Sequence, residues 1–263
     1  IGGFVGGALQ GTRRKASAVT GRDLVTLDLD NIASGETENV IRRVDGLGIA
    51  YAIYSTRSHA EFRPRLRVII PLAETVTADE YEPIARKLAA NIGIELCDPT
   101  TFDVSRLMYW PGCSADSQYI IRYADKPFAD GQGILDQYGD WRDVRFWPQV
   151  PGKETKPREL LAKQQDPLAK KGIVGAFCRT YDILQAIQAY IPNAYEETDK
   201  EDRLTYTGGT TVAGAVLYDD GKFLYSHHAT DPCGGQLVNA FDLVRLHRFG
   251  DDDADAKDGT PVN

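Results

Sequence analysis

Two periods of hydrophobic and polar positions run through the first half of the chain. Leu24 to Leu29 reads as a strand: apolar and polar positions alternate, so Leu27 and Leu29 point to one face and Asp28 and Asp30 to the other. Ser34 to Glu38 has the composition of a helix start, and Val40, Ile41, Val44 and Leu47 follow at helical spacing before Gly48. Ile49 to Thr56 and Leu66 to Leu72 read as a second and third strand around the polar turn Arg57 to Arg65. Thr77 and Glu80 form a capping box for a helix carrying Tyr81, Ile84, Leu88 and Ile92 and ending near Gly93. After the turn Asp98-Pro99-Thr100-Thr101, Val104 to Trp110 reads as a fourth strand, closed by Pro111-Gly112. Residues 1–23, glycine-rich and without a clear period, read as a lead-in loop whose cluster Arg13-Arg14-Lys15 and Arg22 form a solvated face.

The second half repeats neither pattern. Residues 126–166 carry tryptophans and prolines among charges, and 151–166 read as a linker between a first domain at 1–150 and a second at 167–250. In the second domain Ile173 to Tyr181 is helix-like, and Asp182 caps Ile183 to Ile191. Val212 to Tyr218 and Lys222 to Tyr225 form a hairpin through Asp220-Gly221, and Asn239 to Phe249 is a final helix. The reading is a small α+β module, followed by an acidic tail at 251–263.

Composition narrows the class without changing the elements. No apolar run approaches membrane-spanning length, and Ile1-Gly2-Gly3-Phe4 lacks an initiator Met and a signal-peptide pattern, so a piece of a longer cytoplasmic chain is expected. The net charge of -8 excludes a globally basic nucleic-acid binder but not a local basic patch. The four cysteines have no C-x-x-C spacing, which argues against disulfide frameworks and standard zinc fingers. His227-His228 with Cys233 and His247 also match no zinc spacing, and a turn with partly buried histidines is the expectation.

The element order β-α-β-β-α-β is the split pattern of ferredoxin-like and RNA-recognition-like (RRM-like) domains, an α+β core expected over about residues 20–125. Its antiparallel sheet has the order 4-1-3-2, so the end of strand one meets the starts of strands three and four. That places Asp28 and Asp30 beside Asp103 and the Arg57 to Arg67 turn. Two carboxylates about 6 to 7 Å apart on one strand face repel unless a cation lies between them, which points to hard oxygen ligation of a divalent metal. Three carboxylates to hold divalent ions, with His59, Arg65 and Arg67, and beside them Arg57 and Arg106, toward a triphosphate, make an apparatus for two-metal phosphoryl transfer. Asp98, in the same turn as Asp103, competes with it for the third place.

These residues bear a resemblance. Leu27-Asp28-Leu29-Asp30, then Ser55-Thr56-Arg57-Ser58-His59 followed by Arg-x-Arg entering a strand, then Phe102-Asp103, resembles the archaeo-eukaryotic primase superfamily. It is similar in particular to the primase-polymerase domains of phage and prophage replication proteins that carry a helicase-like, virulence-associated protein E region downstream. The resemblance implies a catalytic module that joins nucleoside triphosphates on a DNA template or primer with Mg or Mn, in the cytoplasm of a bacterial host. Asp28 and Asp30 fall on its first acidic motif, His59 on its nucleotide motif and Asp103 on its third. The small residue expected two before the histidine is Arg57 here. Tyr225 to Asp231 and Asn239 to Val244 also resemble the segment joining primase to helicase. From a different class, a non-catalytic RRM-like module would read single strands with exposed aromatics, where this chain has aspartates and arginines. A rolling-circle nuclease would need His-x-His, which does not occur, and a nucleotide cyclase would work without template.

Overall fold

The computed structural model describes residues 2–11, 14–113, 118–152 and 156–252, without the side chains of 156–159. Arg13 and most of the acidic tail, from Asp253 onward, lie outside the described residues. The chain divides into two units, residues 1–141 with 146–156, and residues 142–145 with 157–263. Both mix helices with antiparallel sheet, and the fold class is α+β.

The first unit runs β1 (Gly3–Phe4), β2 (Gly7–Leu9), β3 (Val19–Leu29), α1 (Thr37–Asp45), β4 (Tyr51–Ser55), β5 (Leu66–Val76), α2 (Ala78–Ile92), β6 (Met108–Tyr109), β7 (Ile121–Ala124) and α3 (Gly131–Leu135). Its main sheet has the order β2-β3-β5-β4-β7 and is antiparallel throughout. The strongest sequence periods set the centre of this sheet. Leu27 pairs with Val68 and Val25 with Ile70, and these side chains are fully buried with Leu29 and Leu66. Pleating turns Asp28 and Arg67, which are also paired, to the opposite face. Thr77 caps α2 with the reciprocal Glu80 contact expected of a capping box.

Two expectations for the first unit are corrected. Residues 1–23 are not a loop, because β3 begins at Val19 and β2 lies beside it. A register shift between Arg22 and Leu24 breaks the alternation that would have marked the strand. The pairing also depends on Gly7, where a Cβ would come within 2.1 Å of the Gly21 carbonyl oxygen. Arg22 is fully buried, not solvated: it donates to the carbonyls of Leu24 and Val104 and to the hydroxyls of Thr26 and Tyr81.

The fourth strand is the second correction. It does not flank β3; only Met108–Tyr109 is extended, and it pairs with β1 as a separate two-stranded ladder. The edge of β3 is already occupied. Its first half takes β2, and at its end Leu29 bridges Cys97 while the Asp98 N–H donates to the Asp28 carbonyl at 2.8 Å. Pro99, which fixes φ and lacks an N–H, then turns the chain into a short 3-10 helix instead of extending the ladder. The outer strand β7, weakly patterned and mostly exposed, closes the other edge on β4.

The second unit contains α4 (Lys156–Lys163), α5 (Gly172–Thr180), α6 (Ile183–Tyr190), β8 (Tyr195–Glu197), β9 (Arg203–Tyr206), β10 (Ala215–Tyr218), β11 (Phe223–Ser226), β12 (Leu237–Asn239) and α7 (Ala240–Phe249). Part of the stretch read as a linker is therefore helix, and Leu160 and Leu161 of α4 pack on Phe223, Tyr225 and Leu237. The five strands form an antiparallel meander. Asp219, Asp220 and Gly221 all have positive φ at the β10–β11 turn, the conformation for which Asp-Gly is suited. Ile183, Ala186, Leu224 and Leu243 centre the core, with α6 capped by Asp182 and α7 by Asn239. Among the described residues no helix is long and apolar enough to cross a membrane.

Candidate active site

The C-terminal end of β3 and the start of β5 bring the acidic and basic residues together. Asp28 is held by its backbone: its N–H donates to the Thr101 hydroxyl at 2.8 Å, and that hydroxyl donates to the Thr26 carbonyl. Its side chain is only 7% exposed. One carboxylate oxygen, Oδ2, lies 3.5 Å from Arg67 and 3.6 Å from Arg106. The other, Oδ1, is buried and accepts no hydrogen bond from the described residues. Asp30 pairs with Arg65 at 2.8 Å. Burial, then the neighbouring Asp28 carboxylate, pushes the pKa of Asp30 above its ordinary value, with Arg65 pulling it back.

The third carboxylate beside this pair is Asp98. Arg106 spans it and Asp28, at 3.3 and 3.6 Å, and Asp98 is among the charges that raise Asp30. Asp103 is exposed, and its Oδ1 accepts from the N–H and hydroxyl of Ser105 in its own turn. The reason is the edge pairing described above. Cys97 and Asp98, not Asp103 and the strand after it, run along the end of β3.

His59 is 4% exposed in the β4–β5 turn, and its Nδ1 accepts the Arg65 N–H at 3.1 Å. In the neutral ring that contact leaves the proton on Nε2, which becomes the donor. Arg57 and Ser58 stand exposed on the same turn. Arg65, Arg67 and Arg106 each keep a buried Nε without an acceptor among the described residues. The cluster thus combines three carboxylates with three guanidinium groups, close to neutral, yet both signs retain polar atoms that the protein does not satisfy. Unmet acceptors and donors side by side suit a cation bound together with a polyanion.

Tyr109 and Trp110 were not singled out by the sequence reading. The Tyr109 carbonyl accepts from Arg67 at 3.1 Å and from the Tyr54 hydroxyl at 2.8 Å, which pins β6 beside the cluster. Tyr109 and Trp110 are 49% and 56% exposed there, with one face of the Trp110 ring packed on Phe4 at 4.6 Å between centroids. Their adjacency to an Arg-x-Arg strand appears only once β6 leaves the main sheet.

The fold and the acid–base cluster define an α+β domain with a candidate metal–polyanion site. A family model described as the VapE N-terminal domain matches residues 1–150, and the chain belongs to that family. Among solved structures, a match is the AEP domain (PP-N190) of the cyanophage S-2L primase-polymerase (PrimPol). Sequence identity is 14% and the TM-score 0.37, with 47% of this chain and 63% of that one covered, so the chain spans less than two thirds of that domain. No curated protein matches.

Proposed function

We propose that the first unit is a template-dependent nucleotidyltransferase, a DNA primase or polymerase that joins nucleoside triphosphates on a DNA template in phage-type replication. The observation that carries this reading is the orphaned Asp28 oxygen inside a set of three carboxylates balanced by three arginines. Asp28, Asp30 and Asp98 are the residues suited to hold Mg2+ or Mn2+, with Asp98 taking the role expected of Asp103. When bound, such ions neutralise charge and act as Lewis acids at the attacking and leaving oxygens.

The other steps belong to the chain. Arg65, Arg67 and Arg106 pair with carboxylates in the absence of ligand and turn their free donors to triphosphate oxygens. His59 donates from Nε2 to a phosphate oxygen, its tautomer fixed by the Arg65 N–H. Tyr109 and Trp110 offer flat exposed surface on which template or incoming bases stack. A non-catalytic strand-binding module fits less well, because it gives no role to the unsatisfied Asp28 oxygen or to the acidic set around it. A downstream helicase region, implied by the resemblance, is the proposed partner in the full-length protein.

The test is extension of a primed DNA template with triphosphates and Mg2+ or Mn2+. Asp28→Asn and Asp30→Asn should each lose more than about 100-fold in rate, beyond the 10–100-fold typical of outer-shell partners of a metal. Extension at the wild-type rate by both variants would sink the reading. DNA binding that survives EDTA and is unchanged by both substitutions would favour the non-catalytic module.

A further inference from the structure

Four donors of unlike chemistry converge inside the second unit. Asp231 and Cys233 come from the β11–β12 loop, His247 from the last turn of α7 and Tyr195 from the start of β8. Asp231, Cys233 and His247 each place a ligand atom within 4.8 Å of the others, and they are 2%, 0% and, for the His247 side chain, 6% exposed. Asp231 Oδ1 lies 3.2 Å from His247 Nε2 and 3.1 Å from Cys233 Sγ. The Tyr195 hydroxyl stands 2.7 Å from Asp231 Oδ2, 2.9 Å from His247 Nε2 and 3.3 Å from Cys233 Sγ.

We propose that Asp231, Cys233 and His247, with the Tyr195 hydroxyl at the fourth corner, form a tetrahedral zinc site that ties β8, the β11–β12 loop and α7 together. The dimensions agree with that use. Zinc bonds of about 2.0 Å to nitrogen or oxygen and about 2.3 Å to sulfur imply tetrahedral edges of roughly 3.3 Å for N to O and roughly 3.5 Å for S to O. The edges of 3.2 and 3.1 Å, and those of 2.9 and 3.3 Å from the Tyr195 hydroxyl to His247 Nε2 and Cys233 Sγ, need to open by only a few tenths of an ångström.

Charge points the same way. Asp231 is a buried carboxylate that no Lys or Arg among the described residues contacts, and its one basic neighbour is His247. A bound divalent cation supplies the missing counter-charge and is compatible with a deprotonated Cys233. A thiolate, an imidazole and a carboxylate together suit zinc better than magnesium or calcium. The loop is also held in shape. Cys233 N–H donates to Asp231 Oδ1 at 3.0 Å, Gly234 N–H to the Asp231 carbonyl at 2.8 Å, and Gly235 N–H to the Ser226 carbonyl at 2.8 Å. His228, the other buried histidine of this region, takes no part: its Nε2 accepts from the Tyr206 N–H and its Nδ1 contacts the Thr211 hydroxyl.

This inference is independent of the activity proposed for the first unit. The full chain, purified without chelator and desalted, should carry stoichiometric zinc by elemental analysis. Replacing zinc with cobalt should give a thiolate-to-cobalt charge-transfer band and the intense visible absorption of tetrahedral cobalt. Cys233→Ser should abolish the charge-transfer band and His247→Gln should lower zinc content at least tenfold. Cys178→Ser, in a thiol outside the cluster, should change neither. If the Cys233 variant does not fold, the cobalt spectrum of the wild-type chain still decides. Wild-type protein that takes up no zinc, or cobalt bound without a thiolate band, overturns the site and leaves a hydrogen-bonded Tyr–Asp–His–Cys network in its place. Because none of these measurements uses nucleotide, an inactive first unit does not affect the outcome.

Discussion

Each unit sets acidic groups against nitrogen donors, three carboxylates in the first and one in the second, but they treat charge in opposite ways. In the first unit Asp28, Asp30 and Asp98 face Arg65, Arg67 and Arg106, permanent cations on partly exposed side chains. In the second, Asp231 faces His247, Cys233 and Tyr195, groups that are neutral or switchable and almost fully buried. Permanent counter-charges make the first cluster tolerable without any bound ion. The second cluster lacks a permanent cation, so an ion bound there becomes part of the fold. On the functions proposed above, the difference separates a site for exchange from one for retention.

The largest expected effects should separate the two clusters. Asp98→Asn should cut nucleotide transfer by more than about 100-fold, the scale expected of a ligand itself, while Asp103→Asn changes it by less than about 10-fold. Asn keeps the side-chain acceptor that caps the following turn in both variants, so stability is a fair control. Equal losses in steady-state extension rates would return Asp103 to the site. Conversely, Asp231→Asn should leave the rate per folded molecule within a factor of about 2 and lower the thermal midpoint. With zinc saturating at about 100 times its dissociation constant, the ion contributes about 2.7 kcal/mol, which calorimetry with and without chelator would register.

A middle-sized effect tests how the first cluster is balanced. Because three arginines already neutralise three carboxylates, Mn2+ alone should bind weakly, and a triphosphate that draws the arginines away should tighten it. Coupling of about 1–3 kcal/mol, a 5- to 150-fold change in affinity, is expected by titration calorimetry, with the reciprocal effect of Mn2+ on triphosphate binding. Additive binding would show that the arginines do not mediate between the two ligands. The smallest effect is a control on the scaffold. Thr77→Ala should cost about 1 kcal/mol in denaturant unfolding of the first unit and leave the kinetics of extension untouched.

Much of this was legible along the chain, for local physical reasons. The alternation from Leu24 to Leu29 and from Leu66 to Leu72, the capping box at Thr77 and the Asp-Gly turn at Asp220 depend on neighbours within a few residues, and all appear where the sequence places them. The end of β3 also lies beside the Arg57 to Arg67 turn, as the adjacency of these two strands implies, while the pairing of Asp28 with Arg67 and of Asp30 with Arg65 is read only from the structure. Asp98 was visible only as a rival of Asp103. Nothing local says which of two aspartates five positions apart will lie along the edge of a strand.

That choice, and the others the sequence left open, belonged to the tertiary structure. Edge pairing of Cys97 and Asp98 to β3, the close approach of Gly7 to Gly21 and the burial of Arg22 against Tyr81 decide what flanks the central strand. They exclude the expected fourth strand and set Tyr109 and Trp110 beside Arg67 instead. The same holds for Asp231, which no histidine or cysteine spacing implicates and which only the folding of α7 against the β11–β12 loop brings to His247. Period and capping are properties of short segments, so the sequence alone determined the central strands, the capped helices and the face of the sheet that carries Asp28 and Asp30. Competition for a strand edge and convergence of distant loops depend on the whole packed chain, and only the structure decided them.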